Sequence, residues 1–332
     1  MRLPSPRGPL TEYLVEHLAL APHALRDPPP HEDDPLTGED VPLALAILYE
    51  LHYRSWHDVD DRWEWQPSLL ALRAGLEDAM EDALRDEIRA PAAGDDVAAQ
   101  LIALIAADDG PSLSRRLARS GTLEEYREFL IHRSVYHLKE ADPHTWAIPR
   151  LHGHPKAALV EIQTDEYGGG REEWMHSTLF ARSMRALGLD DGYGAYLERT
   201  PGETLALVNL MSLFGLHRRR RGAVAGHLAI LEMTSSEPMR RYATGLRRLG
   251  LGEDATRFFD EHVEADALHE QIAAHDLAGG LATQEPAVAD DILAGAAAVI
   301  ALEARFAARL IDAWDAGVSS LRPAAMSGTG AR

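Results

Sequence analysis

The chain contains no cysteine. That absence removes a disulfide framework, a cysteine zinc ribbon, an iron–sulfur cluster and thiol catalysis together. Any metal must therefore sit on His, Asp and Glu, a donor set that suits iron, manganese or zinc and not copper(I). Long apolar runs are missing as well. None approaches the roughly 18 residues of a membrane span, and Met1-Arg2-Leu3-Pro4 opens no signal-like core, so the expectation is a cytoplasmic protein with no membrane partner. Basic residues are scarce, 33 Lys and Arg against 53 Asp and Glu, for a net charge of −20. Such a surface repels phosphate backbones and argues against nucleic acid. The local exception, His217-Arg218-Arg219-Arg220-Arg221, reads as a solvated turn between helices. No Ser-His-Asp arrangement and no phosphate or dinucleotide loop stands in a credible context, because no strand precedes Gly168-Gly169-Gly170.

What is present is helical. The 332 residues, 45% of them hydrophobic, make one large domain or two modest ones with a core that needs no metal merely to fold. Residues 1–40, with Pro28-Pro29-Pro30 at their centre, read as an extended arm. Residues 41–112 form an N-terminal helical region, in which Leu43, Ala44, Ile47, Leu48 and Leu51 keep one apolar face and Leu69, Leu72, Leu76, Met80 and Leu84 keep another. Trp56, Trp63 and Trp65 anchor its packing or a homodimer contact. A soft boundary falls between Ala90 and Gly121. Thr122 with Glu125 makes a capping box for a helix running to about Glu140. Further helices are predicted over 156–187, 203–216, 222–234, 238–249, 254–278 and 288–314, with a flexible tail over 319–332. No alternating strand survives, so the class is all-α.

Two clusters carry chemistry. On the 156–187 helix, Glu173 lies about 20° and His176 about 80° around the axis from Glu166. On the 254–278 helix, His262, Asp266 and His269 fall within roughly 60°. A Glu-x-x-His pair beside a His/Asp/His triple is how helical bundles present ligands to two metals in their core. Gly168–Gly170 interrupt the first of these helices, each at about 1 kcal/mol relative to alanine. They mark either a close backbone approach at the site or a loop between two shorter helices.

Asp165-Glu166-Tyr167-Gly168-Gly169-Gly170, then Glu173-x-x-His176, then His262-x-x-x-Asp266-x-x-His269, resembles the haem-oxygenase-like diiron oxidases and oxygenases over about residues 115–315. The group includes amine and guanidine N-oxygenases, an alkene-forming fatty-acid decarboxylase and amino-acid-fragmenting desaturases. The resemblance implies a seven-helix haem-oxygenase-like core (113–318) that binds two irons and no haem and uses O2 as co-substrate. It also implies a first-helix glutamate, which here is Glu140. Carried over, Glu140, His176 and His269 hold one iron, and Glu166, His262 and Asp266 the other. Glu173 is the extra carboxylate of the N-oxygenating branch. It tilts the expectation towards N-oxygenation of a small amine- or amino-acid-like metabolite, with an external electron donor, over decarboxylation, C–C cleavage or desaturation. Four carboxylates offset the charge of two Fe(II) ions and favour Fe(III), while three neutral histidines leave coordination positions open. A non-catalytic iron-binding bundle is the reading from another class.

Of the remaining histidines, His132, His137, His152 and His154 read as surface or supporting residues. Glu232, on an apolar helix beside His227, reads as a buried glutamate paired to an arginine, or as a pocket residue.

Overall fold

The computed structural model describes residues 1–323, apart from the side chains of residues 264–267. No β-strand occurs among the described residues, and the all-α class holds. The helices are α1 (Pro9–Leu18), α2 (Asp40–Glu50), α3 (Pro67–Glu87), α4 (Val97–Ala107), α5 (Leu113–Ser120), α6 (Leu123–His137), α7 (Asp142–Thr145), α8 (Gly153–Glu166), α9 (His176–Ala186), α10 (Gly202–Leu216), α11 (Arg221–Arg248), α12 (Glu253–Gln271), α13 (Gly280–Gln284) and α14 (Ala289–Asp315).

The expected arm is only partly extended. Leu10, Leu14 and Leu18, four residues apart, are fully buried on α1, which starts on Pro9 where a missing N–H costs nothing. Asp40 at the start of α2 accepts from the backbone N–H groups of Leu10 and Thr11 at 2.9 Å and so caps α1. The apolar core runs unbroken from Leu10 to Leu310, joining the N-terminal helices to the rest. Trp56 and Trp63 are buried in it, whereas Trp65 is exposed.

The basic run is a turn between helices, with Arg218 and Arg219 exposed, but its other members are ion-paired. His217 meets Glu77 at 2.9 Å, Arg220 bridges Glu81 and Asp291, and Arg221 holds Glu285. These pairs tie α3 to α11 and α14. Ser320, in the segment expected to be flexible, is buried and donates to Glu128 at 2.6 Å. Residues beyond 323 lie outside the described residues.

Three helix expectations change. The predicted break before Pro238 is absent, and α11 continues through it. Proline removes one helical bond and costs about 3 kcal/mol, which the packing of Val224–Ile230 on one side and Tyr242–Leu246 on the other offsets. The predicted 254–278 helix forms, but its end, Ile272–Gly279, takes a wider π-helical form. The predicted 156–187 helix is two helices: α8 stops at Glu166, and Gly168, Gly169 and Gly170 take φ values of +64°, +60° and +79°. Glycine alone enters that region without strain. A Cβ on Gly168 would lie 2.5 Å from the Trp174 carbonyl carbon, so the chain doubles back tightly here.

Where α11 crosses α14, a Cβ on Gly226 would overlap the Ile292 carbonyl and one on Gly295 would overlap Ala223. The two backbones therefore touch. This close crossing forms one wall of the site described next.

Candidate metal centre

The reversal at Gly168–Gly170 decides the geometry. On an unbroken helix, Glu166 and His176 would be separated by about 15 Å of rise and could share no ion. Instead His176 starts α9 directly opposite the end of α8, and its Nδ1 stands 3.0 Å from Glu166 Oε2. Glu173 goes the other way. It sits exposed on a short 3-10 turn, Glu172–Trp174, and is not brought to the cluster. Periodicity alone, which assumes a continuous helix, could not separate these two fates.

Glu140 lies in the turn just after α6, buried, and accepts from His137 Nδ1 at 2.6 Å. From α12, His262 points its Nε2 at Glu140 Oε1, 3.6 Å away, while its Nδ1–H donates to the Phe258 carbonyl at 2.8 Å. That backbone bond fixes the tautomer and leaves Nε2 with a lone pair aimed into the site, the usual support for a metal-bound imidazole. Glu140, His176 and His262 each offer a donor atom within 4.8 Å of the others. About two turns further along α12, His269 is buried between Glu232 Oε2 (3.3 Å from Nδ1) and Asp165 Oδ2 (3.0 Å from Nε2). The side chain of Asp266 lies outside the described residues.

Sequence resemblance divided the ligands as Glu140/His176/His269 and Glu166/His262/Asp266. The structure groups them differently, with Glu140, His176 and His262 together and His269 a step away beside Glu232.

Electrostatics agree with a cation-binding role. Burial alone would raise the Glu140 pKa, but His137 and His262 outweigh it and hold the carboxyl well below the usual carboxylate range. Burial opposes charge on His269 too, yet Glu232, Asp165 and Glu166 lift its pKa to about 9. Burial, reinforced by Glu140, Glu166 and Glu232, pushes the Tyr136 phenol well above 10, so it keeps its proton. Glu140 Oε2, Glu166 Oε2, His176 Nδ1 and His269 Nδ1 are buried without a hydrogen bond. Orphaned donors and acceptors converging in one place are costly unless an ion satisfies them. The donor set, His and carboxylate with no sulfur, fits iron.

These groups face a cavity of about 280 Å³. Glu140, Glu166, Glu232 and His262 line one side, and Leu228, Ile230, Leu231, Met239 and Val299 line another. Arg133 and Glu303 form a two-pronged ion pair in the wall, at 2.7 Å on each prong. Thr234, Ser235 and Pro238 also line it, so the interrupted turn of α11 borders the cavity.

Residues 127–304, more than half of the chain, match the haem-oxygenase-like family of iron-containing redox enzymes, and the protein belongs to that family. It is also 26% identical over 147 residues to a nitrosourea synthase of Streptomyces achromogenes subsp. streptozoticus. That alignment covers 44% of this chain and 31% of the relative, so the chain spans about a third of the relative's length. No helix among the described residues is long and apolar enough to cross a membrane.

The supporting histidines fall as expected: His137 touches Glu140, and His152 and His154 are on the surface. His144 Nε2 meets His227 Nδ1 at 3.1 Å in the interior, and Glu232 meets His269 and lines the cavity. A buried position is legible in an apolar helix, but its partner on another helix is not.

Three buried histidines lead to a pH prediction. Burial lowers His132 to about 3 and His144 to about 4, and burial and then His144 push His227 well below 6.5. In the unfolded chain all three titrate near 6.5. Between that value and their folded values the unfolded state binds more protons, so stability falls as pH drops. Denaturant midpoints measured from pH 6.5 to 4 should decline, and His132→Gln should flatten the decline by up to about 1.4 kcal/mol per pH unit. An unchanged slope would show that His132 is not held neutral.

Proposed function

We propose that the protein is a non-haem diiron oxygenase that activates O2 and N-oxygenates a small amine- or amino-acid-like metabolite. The observation that carries this reading is the pair of buried His–carboxylate contacts, His176 with Glu166 and His269 with Glu232, whose two carboxylates line one cavity. Similarity to an enzyme named for making a nitrosourea, a group with an N–N=O unit, supports nitrogen as the oxidised atom.

Glu140, Glu166, His176 and His262 would hold one iron, with His269 towards the other. Iron, when bound, supplies electrons for the reduction of O2. The protein's part is to bind, orient and protect. Apolar side chains of α11 and α14 exclude water from the substrate. The Tyr136 phenol, proton retained beside three carboxylates, offers a hydrogen-bond donor at the reacting end. The Arg133–Glu303 pair is a charged edge on which a polar substrate can be oriented.

One observation favours a second reading. Glu173, the residue that tilts the sequence towards N-oxygenation, is exposed, which keeps desaturation or oxidative C–C cleavage open. Incubating Fe(II)-loaded protein with amines and amino acids under ¹⁸O2 separates them. N-oxygenation puts ¹⁸O on nitrogen. Loss of two hydrogens or of carbon dioxide without such a label supports the second reading, and no product at all leaves an iron-binding bundle.

A further inference from the structure

The family motifs place metal ligands on three stretches of chain: the end of α6, the α8–α9 reversal and α12. A fourth helix also sends a carboxylate to the same place. Glu232, on α11, is 6% exposed and lines the cavity with Glu140 and Glu166. Its Oε2 lies 3.3 Å from His269 Nδ1, and that nitrogen is buried with no hydrogen bond. The arrangement repeats the other half of the centre, where the equally orphaned His176 Nδ1 lies 3.0 Å from Glu166 Oε2. Two donors at right angles on one metal, each about 2.1 Å from it, stand ~3 Å apart. Both pairs have that spacing without the alignment of a hydrogen bond.

The opposite edge of the His269 ring fixes which nitrogen is free. Nε2 lies 3.0 Å from Asp165 Oδ2, a half-exposed carboxylate that can only accept. Nε2 therefore keeps a proton for Asp165, and Nδ1 is the nitrogen left to give its other proton up to a metal ion on the Glu232 side. An imidazole nitrogen this close to a buried carboxylate needs a cation between them, a proton in the metal-free protein and a metal ion in the loaded one. An outer carboxylate holding the far N–H of an imidazole is also the usual support of a metal-bound histidine.

We propose that Glu232 is a metal ligand, through which α11 and His269 together hold the second iron in the place the exposed Glu173 does not reach. This rests on the diiron reading above and goes beyond it by assigning a fourth ligand-bearing helix.

The test counts metal. Wild-type protein and Glu232→Gln are loaded anaerobically with Fe(II), desalted and assayed for iron per chain. Glutamine preserves shape and can still accept a hydrogen bond but gives up the charge. The proposal expects about two irons in the wild type and about one in the variant. Two irons in Glu232→Gln, held as tightly as in the wild type, would overturn it and leave the diiron reading standing. So would loss of the second iron from Glu173→Gln but not from Glu232→Gln. One iron or none in the wild type would instead overturn the diiron reading and the proposal with it. Should Glu232→Gln fail to fold, wild-type crystals soaked in Mn(II) decide the matter. An anomalous peak within about 2.5 Å of the Glu232 carboxylate supports the proposal, and two peaks that both leave Glu232 farther away overturn it.

Discussion

His262→Ala is expected to lower iron-dependent oxygen consumption by at least ~100-fold while the helical circular dichroism stays nearly unchanged. The two halves of this expectation have separate causes. His262 is the α12 member of the tightest donor group, and the Phe258 carbonyl holds its ring with Nε2 presented to Glu140 and His176. Removing it deletes a donor and breaks the convergence that makes the site. The fold, by contrast, rests on apolar faces that His262 does not supply: Phe258 and Phe259 anchor α12 in the core one turn earlier. Glu140 would lose one of the two histidines that keep it ionised, so metal affinity should fall along with turnover. Iron content and oxygen uptake measured on the same preparation check both. A variant that unfolds, or that keeps full uptake, would show His262 to be structural.

Glu303→Ala should have the largest effect on stability, a loss of about 3 kcal/mol. Arg133 is mostly enclosed against Phe306, with its guanidinium 4.5 Å from the ring centroid, and the partly exposed Glu303 is its two-pronged partner. Truncating Glu303 strands a cation that cannot shed its proton. Replacing both members with apolar residues removes the charge with its partner. Arg133→Met/Glu303→Leu should therefore recover most of the loss. Urea midpoints of the single and double variants test this. If the double variant were as unstable as the single, the cost would come from lost packing and not from an unpaired charge.

How much of this was legible beforehand follows from which forces act locally. The capping box at Thr122 and Glu125 is a local device, and both of its hydrogen bonds form. The all-α class and the final long helix likewise follow from apolar spacing within single segments. What the sequence concealed was set by distant partners. α11 runs through Pro238 because its packing on α12 and α14 holds it, and the basic run is tied into ion pairs because α3 carries Glu77 and Glu81 beside it. Leu10, Leu14 and Leu18 did carry the spacing of a buried helix, but the surrounding prolines masked it.

The site divides the same way. Glu166, His176, His262 and His269 were readable as candidates, because ligand residue types at motif spacing stand out in the chain, whereas Glu140 came only from the family resemblance. Their grouping was not, since it depends on a reversal made by three glycines in left-handed conformation. Glu173 and His176 are three residues apart, yet one ends in solvent and the other in the core. Glu232 carries no local signal beyond an acid on an apolar helix, and its role appears only once His269 lies opposite.

The central claim is that this bundle uses iron to reduce dioxygen. An oxygen electrode tests it most directly, with metal-free protein, the same protein loaded anaerobically with Fe(II), and an equal amount of free Fe(II). Only the loaded protein should take up oxygen in a rapid phase, at about one O2 per two irons. Uptake no faster than that of free Fe(II), or identical in His262→Ala and wild type, would contradict it.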